Sequence, residues 1–466
     1  MALQVIERIR TALCRTPYEG KVYLVGGIVR DELLKRPLPN DIDLVLEGDA
    51  LQLAQYLYES GLTPHKPVLY RRFGTALLVI DGVQVELVSA RTESYRSDSR
   101  KPVQVKPATL QEDALRRDFT INTILKNLHT GEILDPLGCA LQDLQARVLR
   151  TPRNPEQTFE EDPLRMMRGV RFAVQLHFTI DPPVWSAIQT WAARLKIVSM
   201  ERIREEWTRI LQLPNAHEGV QMLLDSGLFA QFGQPLLPMV GCTQPGGYHL
   251  YDVWEHSLRA VACLQIPENC PMPDWELRLA TLLHDVGKPA TRTLDEHGIA
   301  HFYGHEEKGA AIAQEWLASL RYSNATIERV TRLIRLHMRP GAYAAEWSDS
   351  AVRRLVRDAG ELLEPLLCMV SADICAQRNH GRDLTALRQR IQQAQSAQPP
   401  ALWKSPLSGK EIMLELGVPG GPLIGRVKQF LEEQVVEGNL SPNDKERARQ
   451  LAQAFLQQTL QHKQHG

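Results

Sequence analysis

The sequence predicts an α+β protein, in which a small mixed sheet is followed by a mostly α-helical chain. Residues 22–45 have the pattern of a strand, a Gly26-Gly27 turn, an amphipathic helix and a second strand. Residues 75–88 hold an Asp81-Gly82 pair between two β-rich runs, which is a strong hairpin signal. From residue 160 onward, helical patterns dominate. The sheet is therefore expected in the N-terminal part of the chain.

Length and composition are those of a globular protein. The chain has 466 residues, 43% of them apolar and 23% charged, which is enough for two to four domains. Its formal net charge of −1 means that any RNA contact must come from local basic faces. No apolar run of about eighteen residues and no signal-peptide core occur, so we expect a cytoplasmic protein without a membrane partner. The seven cysteines form no CxxC pair and are expected to be reduced thiols.

Asp41 and Asp43 begin the second predicted strand and are candidate metal ligands. Side chains alternate along a strand, so both carboxylates point to one face while Ile42 points into the core. Two such carboxylates form the hard oxygen site that Mg²⁺ prefers. The Gly26-Gly27 turn lets a phosphate approach the backbone, and the following helix start supplies free N–H groups. Together these features indicate phosphoryl or nucleotidyl transfer.

Each motif also has an ordinary explanation, because a glycine pair is typical of tight turns and a lone Asp-x-Asp is often a solvated strand end. Their combination within one strand–turn–helix–strand segment favours function. Glu86, on the second hairpin strand, either joins the metal site or is an exposed strand carboxylate. No GxxxxGK[ST] sequence occurs, which argues against a P-loop enzyme.

Two further segments are rich in arginine. Residues 116–122 (RRDFTIN) either hold a triphosphate and a ribose or form a surface charge cluster at a helix end. A helix predicted to begin near residue 162 carries charged side chains at every third position: Asp162, Arg165, Arg168 and Arg171. The first two of these share a helix face. They either bind the hydrogen-bonding edge of a nucleobase or form a salt bridge three residues apart.

These segments resemble one enzyme family. GGIVRD followed by DID, the string RRDFTIN, and EDPLRMMRGVRF at residues 161–172 are similar to successive motifs of bacterial class II CCA-adding enzymes, which are related to poly(A) polymerases. The resemblance implies tRNA 3′-end, CTP and ATP as partners, and two Mg²⁺ ions at Asp41 and Asp43. It implies that Asp162 and Arg165 read the incoming base. The remaining implied nucleotide-binding residues are Gly27, Arg30, Arg117, Arg168 and Arg171.

Residues 91–106 are polar and charged, and they are predicted to form a mobile loop. In the CCA-adding family, a flexible loop at this place helps to switch specificity from C to A. A chain that adds only CC is expected to have a shortened loop, whereas the length is kept here. Ser97-Asp98-Ser99 replaces a Pro-Gly that the family often has after the tyrosine.

A second group of candidate metal ligands lies in the C-terminal half. His256, His284-Asp285 and Asp373 can bind a divalent transition metal and leave positions open for water. Their order, and the string LLHDVGKP, resemble the HD phosphohydrolase superfamily. His305 and His337 also fit that pattern, but ordinary core or surface placement is the commoner reason for such histidines. The module either hydrolyses phosphates at damaged 3′ ends or serves only as helical scaffold.

The predicted organisation has four parts: a nucleotidyltransferase head at residues 1–140, a helical neck at 141–235, an HD-type domain at 245–376 and a tRNA-binding tail at 377–466. The predicted function is template-independent addition of CCA to tRNA from CTP and ATP, with release of pyrophosphate. Alternatives with the same chemistry are an A-adding or CC-adding half-enzyme and a poly(A) polymerase. An alternative of another class is an HD phosphohydrolase with an RNA-binding N-terminal domain.

Overall fold

The structure is a computed structural model that describes residues 1–96, 99–245, 251–377, 383–397, 399 and 403–462. The chain forms two compact units, Met1–Gln234 and Pro235–Gly466. The four-part division is finer than this and stays a prediction. Among the described helices, none is long and apolar enough to cross a membrane.

The first unit contains the predicted mixed sheet. Its strands in chain order are β1 (Val22–Val25), β2 (Asp41–Leu46), β3 (Val68–Tyr70), β4 (Thr75–Ile80), β5 (Val83–Ser89), β6 (Arg91–Arg96), β7 (Ser99–Pro107), β8 (Leu125–Asn127), β9 (Ile133–Leu134), β10 (Val148–Leu149) and β11 (Thr179–Ile180). Seven of them pair in the order β3-β4-β5-β2-β1-β8-β9. The β2–β5 pair is parallel and the other pairs of this sheet are antiparallel. The mixed-sheet prediction is therefore confirmed.

The turn between β4 and β5 forms as its sequence predicts. Asp81 and Gly82 both have positive φ, at 51° and 79°, which is the conformation of a two-residue hairpin turn. The hairpin places β5 beside β2, where Glu86 is the register partner of Asp43. A side chain from each of two strands is thereby directed to the same face of the sheet.

The prediction of a mobile loop at residues 91–106 is wrong for most of this segment. β6 and β7 form an antiparallel hairpin in which Arg91 pairs with Pro107 and Glu93 pairs with Val105. Backbone ladder bonds, which composition does not reveal, hold this polar segment together. The family substitution at Ser97-Asp98 lies outside the described residues.

Ten helices are described in the first unit. They are α1 (Ala2–Leu13), α2 (Gly27–Leu33), α3 (Ala50–Glu59), α4 (Leu110–Leu115), α5 (Ala140–Ala146), α6 (Pro155–Glu161), α7 (Leu164–Leu176), α8 (Pro182–Trp191), α9 (Met200–Leu211) and α10 (Ala216–Asp225). The buried face of β2, with Ile42 and Leu44 fully enclosed, packs into the core of the head. Both α9 and α10 pack on α7.

The helix predicted to begin near Asp162 is α7, which begins at Leu164, so Asp162 itself lies outside this helix. Asp162 lies between α6 and α7 in an extended conformation, with φ −140° and ψ 100°. The residue before a proline avoids the helical region because its backbone meets the proline ring, and Pro163 follows here. Asp162 and Arg165 therefore do not share one continuous helix face.

Where the structure describes the second unit, it is helical apart from one short hairpin, β12 (Thr293–Leu294) and β13 (Ala300–His301). Its described helices are α11 (Val253–Cys263), α12 (Asp274–Leu283), α13 (Lys288–Thr291), α14 (His305–Ser319), α15 (Asn324–Leu336), α16 (Met338–Gly341), α17 (Asp349–Ala359), α18 (Leu363–Ala376), α19 (Thr385–Ala397), α20 (Gly409–Leu416), α21 (Pro422–Glu437) and α22 (Lys445–His462). α11 packs on α12 and α18, and α14 packs on α15.

The expectation that all cysteines are reduced thiols is wrong at one pair. Cys263, at the end of α11, and Cys375, near the end of α18, are joined by a disulfide with their Cα atoms 6.2 Å apart. The two residues are 112 positions apart in the sequence. Their pairing depends on the packing of α11 against α18, which cysteine spacing alone does not show.

Candidate active sites

The two candidate metal ligands of the head lie on β2 as predicted. Asp41 is exposed and Asp43 is half-buried, while Ile42 between them is fully buried. Burial raises the pKa of Asp43 to about 6, and the nearby carboxylates of Glu86 and Asp41 add to this rise. Three carboxylates that repel one another in this way create a field that a divalent cation neutralises. The donor set fits Mg²⁺.

The glycine turn lies directly against these carboxylates. Gly26 has a φ of 78°, and a Cβ atom at this position would be 3.2 Å from Oδ2 of Asp43. A side chain here would therefore be both strained and crowded against the candidate metal ligand. Gly27, the glycine named from the sequence, begins α2 and lines the same cleft.

Arg30 and Arg117 also line this cleft, but each is held by a carboxylate. Arg30 is buried and donates two hydrogen bonds to Asp31, at 2.8 and 3.0 Å, and a third to Asn122 at 2.9 Å. Arg117 donates to Asp113 at 3.0 and 3.2 Å. These bonds fix the direction of both guanidiniums, so the positive charge of the cleft is preorganised.

Arg168 connects the RRDFTIN segment to α7. Its Nε donates to Asp118 at 2.8 Å, and Asp118 also accepts a hydrogen bond from Asn122 at 3.0 Å. Burial opposes ionisation of Asp118, but Arg168 and the Asn122 hydrogen bond outweigh it and hold the pKa of this carboxyl well below its usual range. Asp118 is therefore a permanent anion that orients Arg168 and Asn122.

Phe172 lies among three arginines. The guanidinium carbons of Arg171, Arg30 and Arg168 are 4.3, 5.0 and 5.4 Å from the centre of its ring. Arg171 also donates to Glu206 at 2.7 Å and to Gln175 at 3.0 Å. The aromatic face lets three like charges approach one another beside the cleft.

One cleft of about 290 Å³ collects most of the predicted residues of the head. Seven of the nine named residues line it: Gly27, Arg30, Asp41, Asp43, Arg117, Arg168 and Arg171. Other residues line it that are not among these nine, including Asp118, Asn122, Phe172, Gln175 and Arg209. Asp118 and Asn122 belong to the RRDFTIN motif and Phe172 to EDPLRMMRGVRF, so these motifs already pointed to the three residues.

The two predicted base-reading residues do not meet each other. Asp162 pairs with Arg202 of α9, at 3.2 and 3.4 Å. Arg165 is buried and donates to the carbonyl oxygens of Arg116, at 2.6 Å, and Thr158, at 3.3 Å. The helix is interrupted at Pro163, so Asp162 and Arg165 do not form the salt bridge that was one of the two alternatives.

The second candidate site lies in the other unit and contains all four predicted ligands. Nε2 of His256 is 2.9 Å from Asp373 Oδ1 and 3.6 Å from Asp285 Oδ2. Nε2 of His284 is 3.2 Å from Asp285 Oδ2 and 3.6 Å from Asp373 Oδ1. One ligand atom each from His256, His284 and Asp373 lies within 4.8 Å of the others, as a metal site requires.

His305 and His337, for which ordinary placement was the commoner expectation, belong to this cluster. Nε2 of His305 is 3.3 Å from Asp285 Oδ1, and the two histidine Nε2 atoms are 3.2 Å apart. Together with Asp285 they form a second ligand group that adjoins the first. All three are buried, and they come from α14 and from the ends of α12 and α15.

Hydrogen bonds to the backbone orient three of these imidazoles. Nδ1 of His284, His305 and His337 lies 2.7, 2.8 and 2.6 Å from a carbonyl oxygen, which can only accept. Each Nδ1 is thus the donor, so whenever the ring is neutral, as metal binding requires, Nε2 carries a lone pair directed into the cluster. Burial lowers the pKa of His337 to about 4, which keeps its ring neutral. Two facing lone pairs at 3.2 Å repel each other, and a cation between them removes that repulsion.

Asp285 and Asp373 supply the negative charge of the cluster. Burial lowers the pKa of His284, but Asp285 and Asp373 outweigh it and raise this pKa to about 10. The buried Nζ of Lys288 is 2.6 Å from Asp285 Oδ2 and donates to Gln244 at 2.7 Å. The donor set of four imidazoles and two carboxylates fits one or two divalent transition-metal ions.

Family models match three segments of the chain. The Poly A polymerase head domain matches residues 22–150, a probable RNA- and SrmB-binding site of polymerase A matches residues 177–238, and the HD domain matches residues 248–377. The first match contains the Asp41 and Asp43 carboxylates, and the third contains the six clustered ligands. Asp162 and Arg165 lie between the first two matches.

Two relatives are similar in sequence to this chain over most of their length. The chain is 36% identical to the A-adding tRNA nucleotidyltransferase of Deinococcus radiodurans over 73% of this chain and 79% of that protein. It is 34% identical to the CC-adding tRNA nucleotidyltransferase of Thermus thermophilus over 91% of this chain and 92% of that protein. The chain belongs to the tRNA nucleotidyltransferase family. The predicted enzyme class is thereby confirmed.

A solved structure of a tRNA nucleotidyltransferase has the same fold. The Bacillus stearothermophilus CCA-adding enzyme in complex with CTP superposes with a TM-score of 0.67 and 24% identity, and the match covers all of this chain and 98% of that one. The α+β head, helical neck and HD-containing body predicted from the sequence agree with this fold. The HD domain of this tRNA nucleotidyltransferase is likewise confirmed by its family match.

Proposed function

We propose that this tRNA nucleotidyltransferase adds C, C and A to the 3′ end of tRNA from CTP and ATP without a nucleic-acid template, releasing pyrophosphate at each step. The observation that carries the proposal is the single cleft that joins Asp41 and Asp43 to Arg117, Arg168 and Arg171. Carboxylates for a cation beside arginines for phosphate oxygens are the parts that nucleotidyl transfer needs. The proposal places the enzyme in the cytoplasm, as the sequence predicts.

In this proposal, Asp41 and Asp43 hold Mg²⁺, and Glu86 adds negative charge next to them. Mg²⁺ bound there supplies Lewis-acid stabilisation of the phosphate oxygens and favours ionisation of the attacking 3′-hydroxyl. Gly26 leaves the space beside Asp43 open, since even a Cβ atom would crowd the carboxylate. Arg117 and Arg168, held in direction by Asp113 and Asp118, meet the negative charge of the triphosphate.

Base choice is proposed to depend on Asp162 and Arg165. Cytosine and adenine each present an exocyclic amino group on the Watson–Crick edge, whereas uracil and guanine present a carbonyl oxygen there. A carboxylate accepts from the amino group and repels the oxygen. Arg202 fixes the direction of the Asp162 carboxylate. To contact the base, the Arg165 side chain rotates away from the carbonyl oxygen of Arg116. Arg171 and Arg168 support this arrangement through Phe172.

Asp162→Ala is expected to lower kcat/KM for CTP and ATP about 10- to 100-fold and to raise the relative incorporation of UTP. The reason is the loss of the acceptor for the amino group, because an unmatched hydrogen bond to a charged group changes binding by roughly 1.5–3 kcal/mol. Single-nucleotide incorporation with each of four nucleotides measures this. Glu160→Ala, which removes a carboxylate two residues away, serves as the control. Unchanged discrimination in Asp162→Ala would remove this residue from the base site.

The dependence on Mg²⁺ is expected to steepen in acid. Because the pKa of Asp43 is about 6, a proton competes with the cation for this carboxylate below that pH. The Mg²⁺ concentration for half-maximal addition should then rise about tenfold for each unit of pH below 6 and be nearly constant above it. Titrations of Mg²⁺ between pH 5 and 8 measure this, and a flat requirement across the range would contradict the ligand role of Asp43.

Addition of the full CCA sequence, rather than CC or A alone, is favoured by the β6–β7 hairpin. Residues 91–96 and 99–107 pair as two strands, and the segment between β5 and α4 is not shortened in the sequence, whereas the resemblance predicts a shortened segment in a CC-only enzyme. The proposal as a whole is tested by incubating the protein with Mg²⁺, CTP, ATP and a tRNA transcript that lacks its CCA end. One pyrophosphate per added nucleotide is expected. No extension would overturn the proposal.

We further propose a second activity in the other unit, namely metal-dependent hydrolysis of a phosphate ester. It is supported by the Nε2 atoms of His305 and His337, which lie 3.2 Å apart beside Asp285. A purely structural helical domain would not require several metal-ligand atoms to point at one another. A divalent transition metal held by these residues and by His256, His284 and Asp373 supplies an activated water. Lys288, whose Nζ is 2.6 Å from Asp285 Oδ2, holds this carboxylate in place. The phosphates of damaged RNA 3′ ends are the proposed substrate class.

A further inference from the structure

The disulfide Cys263–Cys375 connects the two helices that carry one pair of candidate metal ligands. His256 and Cys263 both belong to α11, and Asp373 and Cys375 both belong to α18. The helices are thus joined twice, by the His256–Asp373 contact of 2.9 Å and by the disulfide. Seven residues, or two helical turns, separate His256 from Cys263, so both lie on one face of α11.

Asp373 lies close to the disulfide, near the end of its helix. It belongs to the last turn of α18, which ends at Ala376. The last turn of a helix lacks part of its backbone hydrogen bonding and frays unless something holds it. Besides His256, Asp373 accepts a hydrogen bond from Gln377, at 3.2 Å, which lies just beyond the helix end. The disulfide two residues after Asp373 is a covalent attachment for this turn.

The disulfide is accessible from outside. Cys375 is exposed and Cys263 is half-buried. Both line a cavity of about 550 Å³, together with Glu364, Cys368 and Arg388. The room beside the sulfur atoms suits a small thiol, and exposed disulfides are the labile ones, whereas structural disulfides are shielded.

We propose that Cys263 and Cys375 form a reversible redox site, opened by a small thiol reductant, whose reduction weakens metal binding by His256 and Asp373. This inference rests on the proposed metal site of the second unit. A thiolate of the reductant attacks one cysteine Sγ, the S–S bond breaks, and the departing cysteine sulfur takes a proton. A second reductant thiolate then attacks the mixed disulfide. Two thiols and the oxidised reductant result, with two electrons transferred.

The test uses the full chain and reduced glutathione as the probe. Protein is compared before and after treatment and anaerobic desalting, with cysteine alkylation read by mass spectrometry and Mn²⁺ binding read by electron paramagnetic resonance. Two additional alkylated residues, Cys263 and Cys375, and an approximately tenfold weaker Mn²⁺ affinity are expected, the size typical for loss of support to a metal ligand. Nucleotide addition should be unchanged.

Two variants make the outcome specific. Cys375→Ser should bind Mn²⁺ like the reduced protein under both conditions, whereas Cys368→Ser, in the same cavity but outside the disulfide, should keep the response. Equal Mn²⁺ affinity in both redox states would overturn the redox proposal and leave the metal site standing. Absence of Mn²⁺ binding in both states would overturn the metal site together with it. No gain in alkylation would show that these thiols do not form a reversible disulfide.

Discussion

Asp43→Asn is expected to lower nucleotide addition by at least about 10³-fold, while the protein stays folded. The substitution keeps the shape of the side chain and removes the charge that would hold Mg²⁺ at the reacting phosphate, and groups that stabilise charge in the transition state have effects of this order. Extension of a tRNA transcript with CTP and ATP measures the loss. The HD unit should bind Mn²⁺ as before.

The same variant is expected to be more stable than the wild type at pH 7.5. Because burial raises the pKa of Asp43 to about 6, ionising this group opposes folding, and the penalty is complete above the folded pKa. Asparagine removes it, by about 1–3 kcal/mol. As the pH falls through 6 toward 4, Asp43 becomes protonated in the wild type and the difference should vanish. Urea unfolding at several pH values measures this.

Asp49→Asn is the matched control for Asp43→Asn. Asp49 caps the N-terminus of α3, and its carboxylate accepts from the backbone N–H groups of Leu51 and Gln52. Asparagine is an equally good capping residue, so the same chemical change here should alter neither activity nor stability by much. Retained addition in Asp43→Asn, with the control active, would contradict the metal-ligand assignment.

His284→Gln is expected to weaken Mn²⁺ binding in the second unit by more than about 100-fold and to remove phosphoesterase activity, because it deletes a direct ligand near the centre of the cluster. Glutamine still offers a donor for the Thr281 carbonyl, which His284 contacts at 2.7 Å. Nucleotide addition should be unaffected. Mn²⁺ titration and hydrolysis of a phosphate monoester measure the two effects.

His297→Gln is the corresponding control, since this histidine is exposed and lies outside the cluster. It should bind Mn²⁺ like the wild type. If His284→Gln and His297→Gln bound Mn²⁺ equally well, the cluster would not be the metal site. Loss of nucleotide addition in His284→Gln alone would show that the two activities are not separate.

Local sequence rules account for the part of the fold that carries the head cleft. The alternation of Asp41, Ile42 and Asp43 predicts which side chains are buried, and the Asp81-Gly82 pair predicts the hairpin that places Glu86 opposite Asp43. Both depend on residues close in sequence, where strand period and turn geometry decide the outcome. The string LLHDVGKP likewise predicts the metal-ligand cluster of the second unit, because it is a specific local motif.

Local sequence rules do not predict which acceptor each arginine side chain binds. Helical spacing favoured a pair between Asp162 and Arg165, but Asp162 contacts Arg202, forty residues later. Tertiary packing decides which acceptor a long side chain reaches. One local signal was available: Pro163 disfavours a helical conformation at the preceding residue.

Long-range pairing also explains the other differences. The local sequence around His305 and His337 fits the HD pattern only loosely, and the packing of α14 on α15 brings their Nε2 atoms to 3.2 Å. Cys263 and Cys375 meet for the same reason, through α11 and α18. The β6–β7 hairpin is held by backbone hydrogen bonds between its two strands, and these bonds cannot be predicted from the polar composition of the segment.

The most direct test of the central claim uses three tRNA transcripts, ending at the discriminator base, at C and at CC. Each is incubated with Mg²⁺ and CTP, ATP or both, and the products are sized at single-nucleotide resolution. We expect every transcript to be completed to CCA and then to stop. Adenylation of the CC-ended transcript alone, addition of CC without A, or unlimited A tails would contradict full CCA addition and would indicate a half-enzyme or a poly(A) polymerase.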